Sequence, residues 1–302
     1  MENHKELPNR IKDLLAYLNG MLSGKEEAIR LTLLSAIAGE HIFLSGPSAL
    51  DKKTLVRCVT RAFPYSNEDA HHLYTYYGPS SYFNIYFINS DISNKDISEV
   101  FWDSMKRPGT FLAVASQKIQ PFNLEDKVLE EYIALHVQVN TASNDEAFFK
   151  FVENPDDYIR PTQEMFQTLL IDNDDIKNWR KEIDKVELSD DAKNLISEIR
   201  RESFEYFVSD FRWRKIVHVL KTCAFLNGRT KVDLVDCSLI DYAIPGNTVE
   251  GILKQKLIDG KLNSRQHSQY KENIFARHKY YQILKSSVDD KKLKLDQKNF
   301  TC

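Results

Sequence analysis

The run His41-Ile-Phe-Leu-Ser-Gly-Pro-Ser-Ala-Leu-Asp-Lys-Lys-Thr54 decides the architecture. Its opening residues are apolar and β-prone, Gly46-Pro47 breaks the run, and Leu55-Val-Arg-Cys-Val-Thr-Arg-Ala-Phe63 continues with helical spacing. That is a strand, a loop of the size that wraps a phosphate, and a helix. Upstream, Leu14, Leu15, Leu18, Met21 and Leu22 recur at helical spacing, and Ala28 to Gly39 repeats the pattern with a glycine stop. Downstream, short apolar runs at Ile85–Ile88, Thr110–Ala115 and Tyr132–Val139 are separated by helix-like stretches such as Ile97 to Met105. Strands alternating with helices predict a parallel α/β sheet. After about residue 143 only helices are expected, over Asp145–Val152, Thr162–Leu170, Asp174–Ile183, Ser189–Glu202, Arg212–Leu226 and Lys231–Ile240. The organisation read from this is an α/β domain over 1–142, a helical domain over 143–245 and a basic, helix-prone tail over 246–302 that frays from Lys291.

The 302 residues, 42% hydrophobic and 28% charged, are enough for two domains with cores. The net charge is −3, so the chain as a whole has no general attraction for nucleic acid or anionic membranes. Charge is unevenly spread: Gly251 to Cys302 holds 12 Lys/Arg and 5 Asp/Glu, leaving −10 on residues 1–250. Cys58, Cys223, Cys237 and Cys302 lack metal-finger spacing and read as reduced thiols. With neither an apolar signal core nor a run of membrane-spanning length, the expectation is a soluble, cytoplasmic protein without membrane insertion.

Glu27-Ala-Ile-Arg-Leu-Thr-Leu-Leu-Ser-Ala-Ile-Ala-Gly-Glu-His-Ile-Phe-Leu-Ser-Gly46, continuing to Lys53, resembles the opening of MoxR-family AAA+ ATPases of the RavA-like branch. Leu73 to Phe83 and Phe111-Leu-Ala-Val-Ala-Ser-Gln117 are similar to later segments of that branch. Asn178-Trp-Arg-Lys-Glu-Ile183, Phe207-Val-Ser-Asp-Phe-Arg-Trp-Arg-Lys215 and Ala224-Phe-Leu-Asn-Gly-Arg229 resemble its lid. The likeness spans roughly residues 10–245 and implies a P-loop-type parallel sheet flanked by helices, followed by an all-helical lid.

The same resemblance implies degenerate chemistry. A phosphate loop needs glycines whose N–H groups wrap phosphates, a lysine for the β/γ oxygens and a hydroxyl for Mg²⁺. Gly46, Ser48 and Lys52 remain, but Ala49 stands at the second glycine, Asp51 at the small position before the lysine, and Lys53 at the hydroxyl position, with Thr54 one place later. Asn89 and Ser90 occupy the Walker B acidic positions, Gln117 the sensor Asn, and Phe211, beside Arg212, the lid's sensor Arg. The subunit-bridging Arg position falls near Glu130, and the segments Ser81–Ile88 and Asn89–Thr110 are too short for the family's insertions. Asp91 is offset from the Walker B positions and is a poor substitute.

The expectation is therefore a pseudo-ATPase with no catalytic residue, no metal and no cofactor, acting as an interaction or scaffold subunit of a bacterial cytoplasmic assembly. Its partners are other proteins, met through the sheet domain or the tail, and monomer, dimer or a larger complex are all open. One alternative is an unconventional MoxR-like ATPase with chaperone activity, in which ATP and Mg²⁺ meet Lys52, Thr54 or Asp91, and Arg212. A second is a nucleic-acid-binding accessory acting through tail residues such as Lys254, Lys256, Arg265, Lys271 and Arg277, interleaved with Tyr270 and Phe275. His71-His72 reads as solvated rather than metal-binding, His136 as a satisfied core histidine, and the aromatic segment Tyr74, Tyr76, Tyr77, Tyr82, Phe83 as either core or protein interface.

Overall fold

The computed structural model describes residues 6–22, 24–63, 67–70, 74–78, 84–89, 110–116, 127–140, 145, 149, 153, 169–202, 208–244, 247–258 and 273–275. Two helices, α1 (Glu6–Met21) and α2 (Glu26–Ala38), lead into β1 (His41–Ser45) and α3 (Ala49–Thr60). Then follow β2 (Asn67–Ala70), β3 (Tyr74–Gly78), β4 (Asn84–Asn89), β5 (Thr110–Ser116), α4 (Lys127–Tyr132) and β6 (Ile133–Gln138). The six strands form one sheet in the order β2-β3-β4-β5-β1-β6. The expected parallel sheet is its four-strand part β4-β5-β1-β6, with β6 at the edge. An antiparallel pair, β2 and β3, extends it beyond β4, so Tyr74, Tyr76 and Tyr77 lie on a strand that sequence reading left unassigned.

All five residues of β1 are buried. With a neighbour on each edge and α2 and α3 packed on the sheet, a continuous apolar run is the only pattern such a strand can carry. Helix α2 is buried along almost its whole length and stops at Gly39, whose left-handed φ of 70° turns the chain so that the Glu40 N–H donates to Ser35 O at 3.0 Å, while the Gly39 N–H donates to Ala36 O.

The helical domain comprises α5 (Asn173–Lys185), β7 (Glu187–Leu188), α6 (Asp190–Glu202), α7 (Asp210–Leu226), β8 (Lys231–Val232), a 3₁₀ turn (Asp236–Leu239), α8 (Ile240–Ala243) and α9 (Asn247–Ile258). Asp172 caps α5 reciprocally with Asp175. The helix expected over Lys231–Ile240 is replaced by β8, paired with β7, and by the 3₁₀ turn. The cause is local: Asp233 Oδ1 accepts the Leu234 N–H, and Asp236 Oδ2 accepts the Asp233 N–H. Side chains that capture backbone donors in this way divert the chain from a helix. The expected helices at 97–105, 145–152 and 162–170 lie almost wholly outside the described residues, as do His71-His72, Tyr82, Phe83 and most of the tail.

Sheet and lid are joined by polar clasps. Arg10 on α1 pairs with Asp175 Oδ2 at 2.6 Å and lies 5.6 Å over the Trp179 ring. Glu40, before β1, holds Lys215 and His218 of α7, each at 3.0 Å. Cys58, Cys223 and Cys237 are buried free thiols, and burial pushes that of Cys58 up to about 12. Among the described residues no helix is long and apolar enough to cross a membrane.

Candidate functional site

At the carboxyl end of β1 the chain turns at Gly46 with φ of 145°. Its N–H donates to Ser116 O at 3.1 Å, and the Val139 N–H donates to Ser45 O at 2.7 Å. The exit of β6 passes so close that a Cβ on Gly46 would lie 2.1 Å from Val139 O. Strand packing therefore requires glycine here whether or not the loop meets a ligand.

Ser48 begins α3 as its cap, its Oγ accepting the Asp51 N–H at 3.1 Å. Lys52 is fully buried, and its ammonium donates to Gly46 O at 2.5 Å and Ser48 O at 2.9 Å. Asp51 pairs with Lys25 Nζ at 3.2 Å, and Lys25 also donates to Asn140 O beyond β6. Lys53 and Thr54 are half-buried on α3. A phosphate entering this loop has to draw Lys52 off two carbonyls and meets the Asp51 carboxylate.

Two strands away, Asn89 ends β4 and pairs with Ala115, beside the register pair Ser45–Ser116. The sheet thus brings the end of β4 and the Gly46 loop to one edge. Ser90 and Gln117, the neighbouring sequence candidates, lie outside the described residues. Among the described residues no group of three or more His, Cys, Asp or Glu is placed to hold a metal ion.

On the lid, Ser209 caps α7 by accepting the Arg212 N–H at 3.1 Å. Arg212 then runs inward, only 4% exposed. Its Nη1 donates to Glu130 Oε1 at 3.1 Å and its Nη2 to Ala243 O at 2.7 Å, with His136 Nε2 3.3 Å from the same Nη2. Burial lowers the Arg212 pKa, and Glu130 opposes that effect. Burial, reinforced by the Arg212 charge, pushes His136 down to about 3, so it is neutral, and with Arg212 as partner it is a satisfied histidine, half-buried rather than in the core. Phe211 stays half-exposed, edge-on to Tyr132 at 5.2 Å, with the Lys215 ammonium 5.0 Å from its ring centre. Glu40 is raised by burial, but its His218 hydrogen bond and the Lys215 charge outweigh this and hold it below the usual carboxylate range.

Residues 176–250 match the model of the AAA lid domain. The fold as a whole is similar to the crystal structure of a protein assigned as an ATPase from Cytophaga hutchinsonii ATCC 33406. The TM-score is 0.57 over 83% of this chain and 86% of that one, at 16% identity, a likeness of fold. Over 53 residues the chain is 42% identical to protein MoxR of Paracoccus denitrificans, a stretch covering 18% of this chain and 16% of that protein. The chain thus carries an AAA lid domain on an AAA-type fold, and one short stretch of it is similar to MoxR.

Three site contacts in this chain are not readable from spacing. Lys25 lies far upstream of Asp51; the only hint was a carboxylate in a lysine-bearing loop with no evident partner. Glu130, weighed as the place of a subunit-bridging Arg, is instead the acceptor for Arg212. Asn140 contributes a main-chain carbonyl, which no residue type announces.

Proposed function

We propose that the MoxR-like chain is a pseudo-ATPase of the RavA-like branch, serving as an interaction or scaffold subunit of a bacterial cytoplasmic assembly. The observation that carries this reading is Lys52, the residue meant for phosphate, fully buried with its ammonium on Gly46 O and Ser48 O. The rest of the loop agrees. Asp51 brings a carboxylate where a triphosphate needs donors, Lys53 stands where a magnesium-bound hydroxyl belongs, and β4 ends in the neutral Asn89. Arg212, the lid arginine beside the sensor position, is committed to Glu130 and Ala243. These residues do not fit Mg–ATP.

Isothermal titration with ATP and ADP, with and without Mg²⁺, tests the reading. The expected result is no binding heat at millimolar nucleotide. Micromolar binding that Lys52→Ala abolishes would overturn it in favour of a working ATPase.

A further inference from the structure

We propose that Lys25 is a built-in cationic occupant of the Gly46 loop, closing from within the chain a junction that a ligand would otherwise close from outside. This rests on the pseudo-ATPase reading and adds the means by which the site is held shut. Lys25 precedes α2 and is 7% exposed, and although Glu26 and Glu27 follow it directly, Glu26 Oε1 accepts the Gly24 N–H. Its ammonium instead reaches two distant elements. It stands 3.2 Å from Asp51 Oδ2, in the first turn of α3, and it donates to Asn140 O, past the end of β6. One side chain thus ties the entry of α2, the start of α3 and the exit of β6.

The chemistry of the junction is self-contained. Three loops that converge at the carboxyl edge of a parallel sheet usually leave unsatisfied donors and a positive helix terminus, which is why anions bind there. Here the anion is Asp51, placed at the N-terminus of α3, and Lys25 neutralises it. Lys52 meanwhile satisfies Gly46 O and Ser48 O. An internal carboxylate, paired with an internal ammonium, stands in for the phosphate and its counter-cation. The loop is then closed in the absence of nucleotide, and the lid above it has no ligand to respond to.

Burying the pair also sets a signature. Removing Asp51 leaves the buried Lys25 ammonium without compensation, removing Lys25 leaves a carboxylate that water still reaches in part, and removing both costs less than the two losses together. The two substitutions should therefore be strongly non-additive.

The test is a thermal-unfolding cycle of the full chain with Lys25→Met, Asp51→Ala and the double variant, with Lys25→Arg as a charge-keeping control. Each single variant is expected to lower the midpoint by about 3–6 °C, taking roughly 2 °C or more per kcal/mol for a chain of this size. The double variant should fall by clearly less than the sum, and Lys25→Arg should recover most of the loss. Additive shifts, or singles that melt with the wild type, would overturn the internal-occupant proposal. If a single variant does not fold while the double does, the coupling is shown by that contrast. If neither folds, the Lys25→Arg chain decides: a midpoint close to wild type supports the proposal, and a chain that also fails to fold overturns it. ADP titration of the same proteins separates the two claims: micromolar binding to wild type sinks the pseudo-ATPase reading, whereas the thermal cycle alone decides the pair.

Discussion

Arg212 Nη2 lies 3.3 Å from His136 Nε2, and because a guanidinium can only donate, that nitrogen is an unprotonated acceptor. The lid's buried cation is therefore seated on a neutral histidine of the sheet. Protonating His136 would set two cations against each other 3.3 Å apart.

This makes the sheet–lid joint acid-sensitive. His136 is pushed down to about 3 and His41 to about 4, in both cases chiefly by burial. Unfolded histidines bind protons near 6.5, so between there and the folded values the unfolded chain takes up more protons and stability falls with falling pH. Each site contributes roughly 1.4 kcal/mol per unit of separation, fully present above about pH 6.5. Melting midpoints should decline from pH 6.5 downward, and His136→Gln, which keeps an acceptor for Arg212, should flatten the decline. An unchanged profile in His136→Gln would mean that His136 is not a source of the acid sensitivity.

The neighbours Phe211 and Arg212 should respond in opposite ways. Arg212→Met removes a buried cation that serves Ala243 and the 37%-exposed Glu130, which water can still hydrate, and is expected to cost about 1.5–3 kcal/mol, the range for losing hydrogen bonds to a charged group. Phe211→Arg loses an exposed edge-to-face contact with Tyr132, worth no more than about 1.5 kcal/mol. Urea midpoints check both. If Phe211→Arg also melts higher with Mg–ATP than without, the neutral lid position was suppressing nucleotide binding, contrary to the proposed function.

Gly46→Ala separates a packing role from a ligand role for the loop glycine. A Cβ at 2.1 Å from Val139 O cannot be relieved by a side-chain shift, because the obstacle is backbone. Together with the unfavourable φ, this should cost at least about 3 kcal/mol, or prevent folding, with no nucleotide present. Soluble expression with a midpoint equal to wild type would show that β6 does not approach the loop so closely.

What the sequence disclosed and what it hid divide along local and distant causes. The apolar run His41–Ser45 followed by Gly46-Pro47 announces strand and loop because both signals are contiguous. The reason for Gly46 is hidden, since Val139 lies some ninety residues away and acts through its carbonyl. Lys25 offers no periodic signal, and its pairing with Asp51 exists only once α2 and α3 share the sheet edge. The helix expected over Lys231–Ile240 fails for a similar reason: Asp236, apparently one more helical polar residue, is fully buried and grips Arg229 through two bonds of 2.6 Å.

The tail is where local pattern misleads most, and it carries the last prediction. Asn273-Ile-Phe275 sits in a polar, basic stretch, yet Phe275 is fully buried in the hydrophobic core. Asn273 Nδ2 donates to Asp236 Oδ1 at 3.1 Å, its Oδ1 accepts from Asn227 Nδ2 at 3.3 Å, and the Ile274 N–H donates to Asn227 Oδ1 at 2.9 Å. Lys256, further up, pairs with Glu198 of α6. These tail residues are thus spent on the lid. Phe275→Ala should cost about 3–5 kcal/mol by opening a core cavity, and Asn273→Ala about 1 kcal/mol by removing a donor from buried Asp236. A chain ending at residue 271 loses both contributions, so its lid should melt first, seen as early loss of the Trp179 and Trp213 signal. Any nucleic-acid or protein binding by the tail must accordingly be tested with charge substitutions that leave Asn273 and Phe275 in place. If Phe275→Ala instead unfolds at the wild-type midpoint, the segment is not part of the lid core, and truncation becomes a fair probe of the tail.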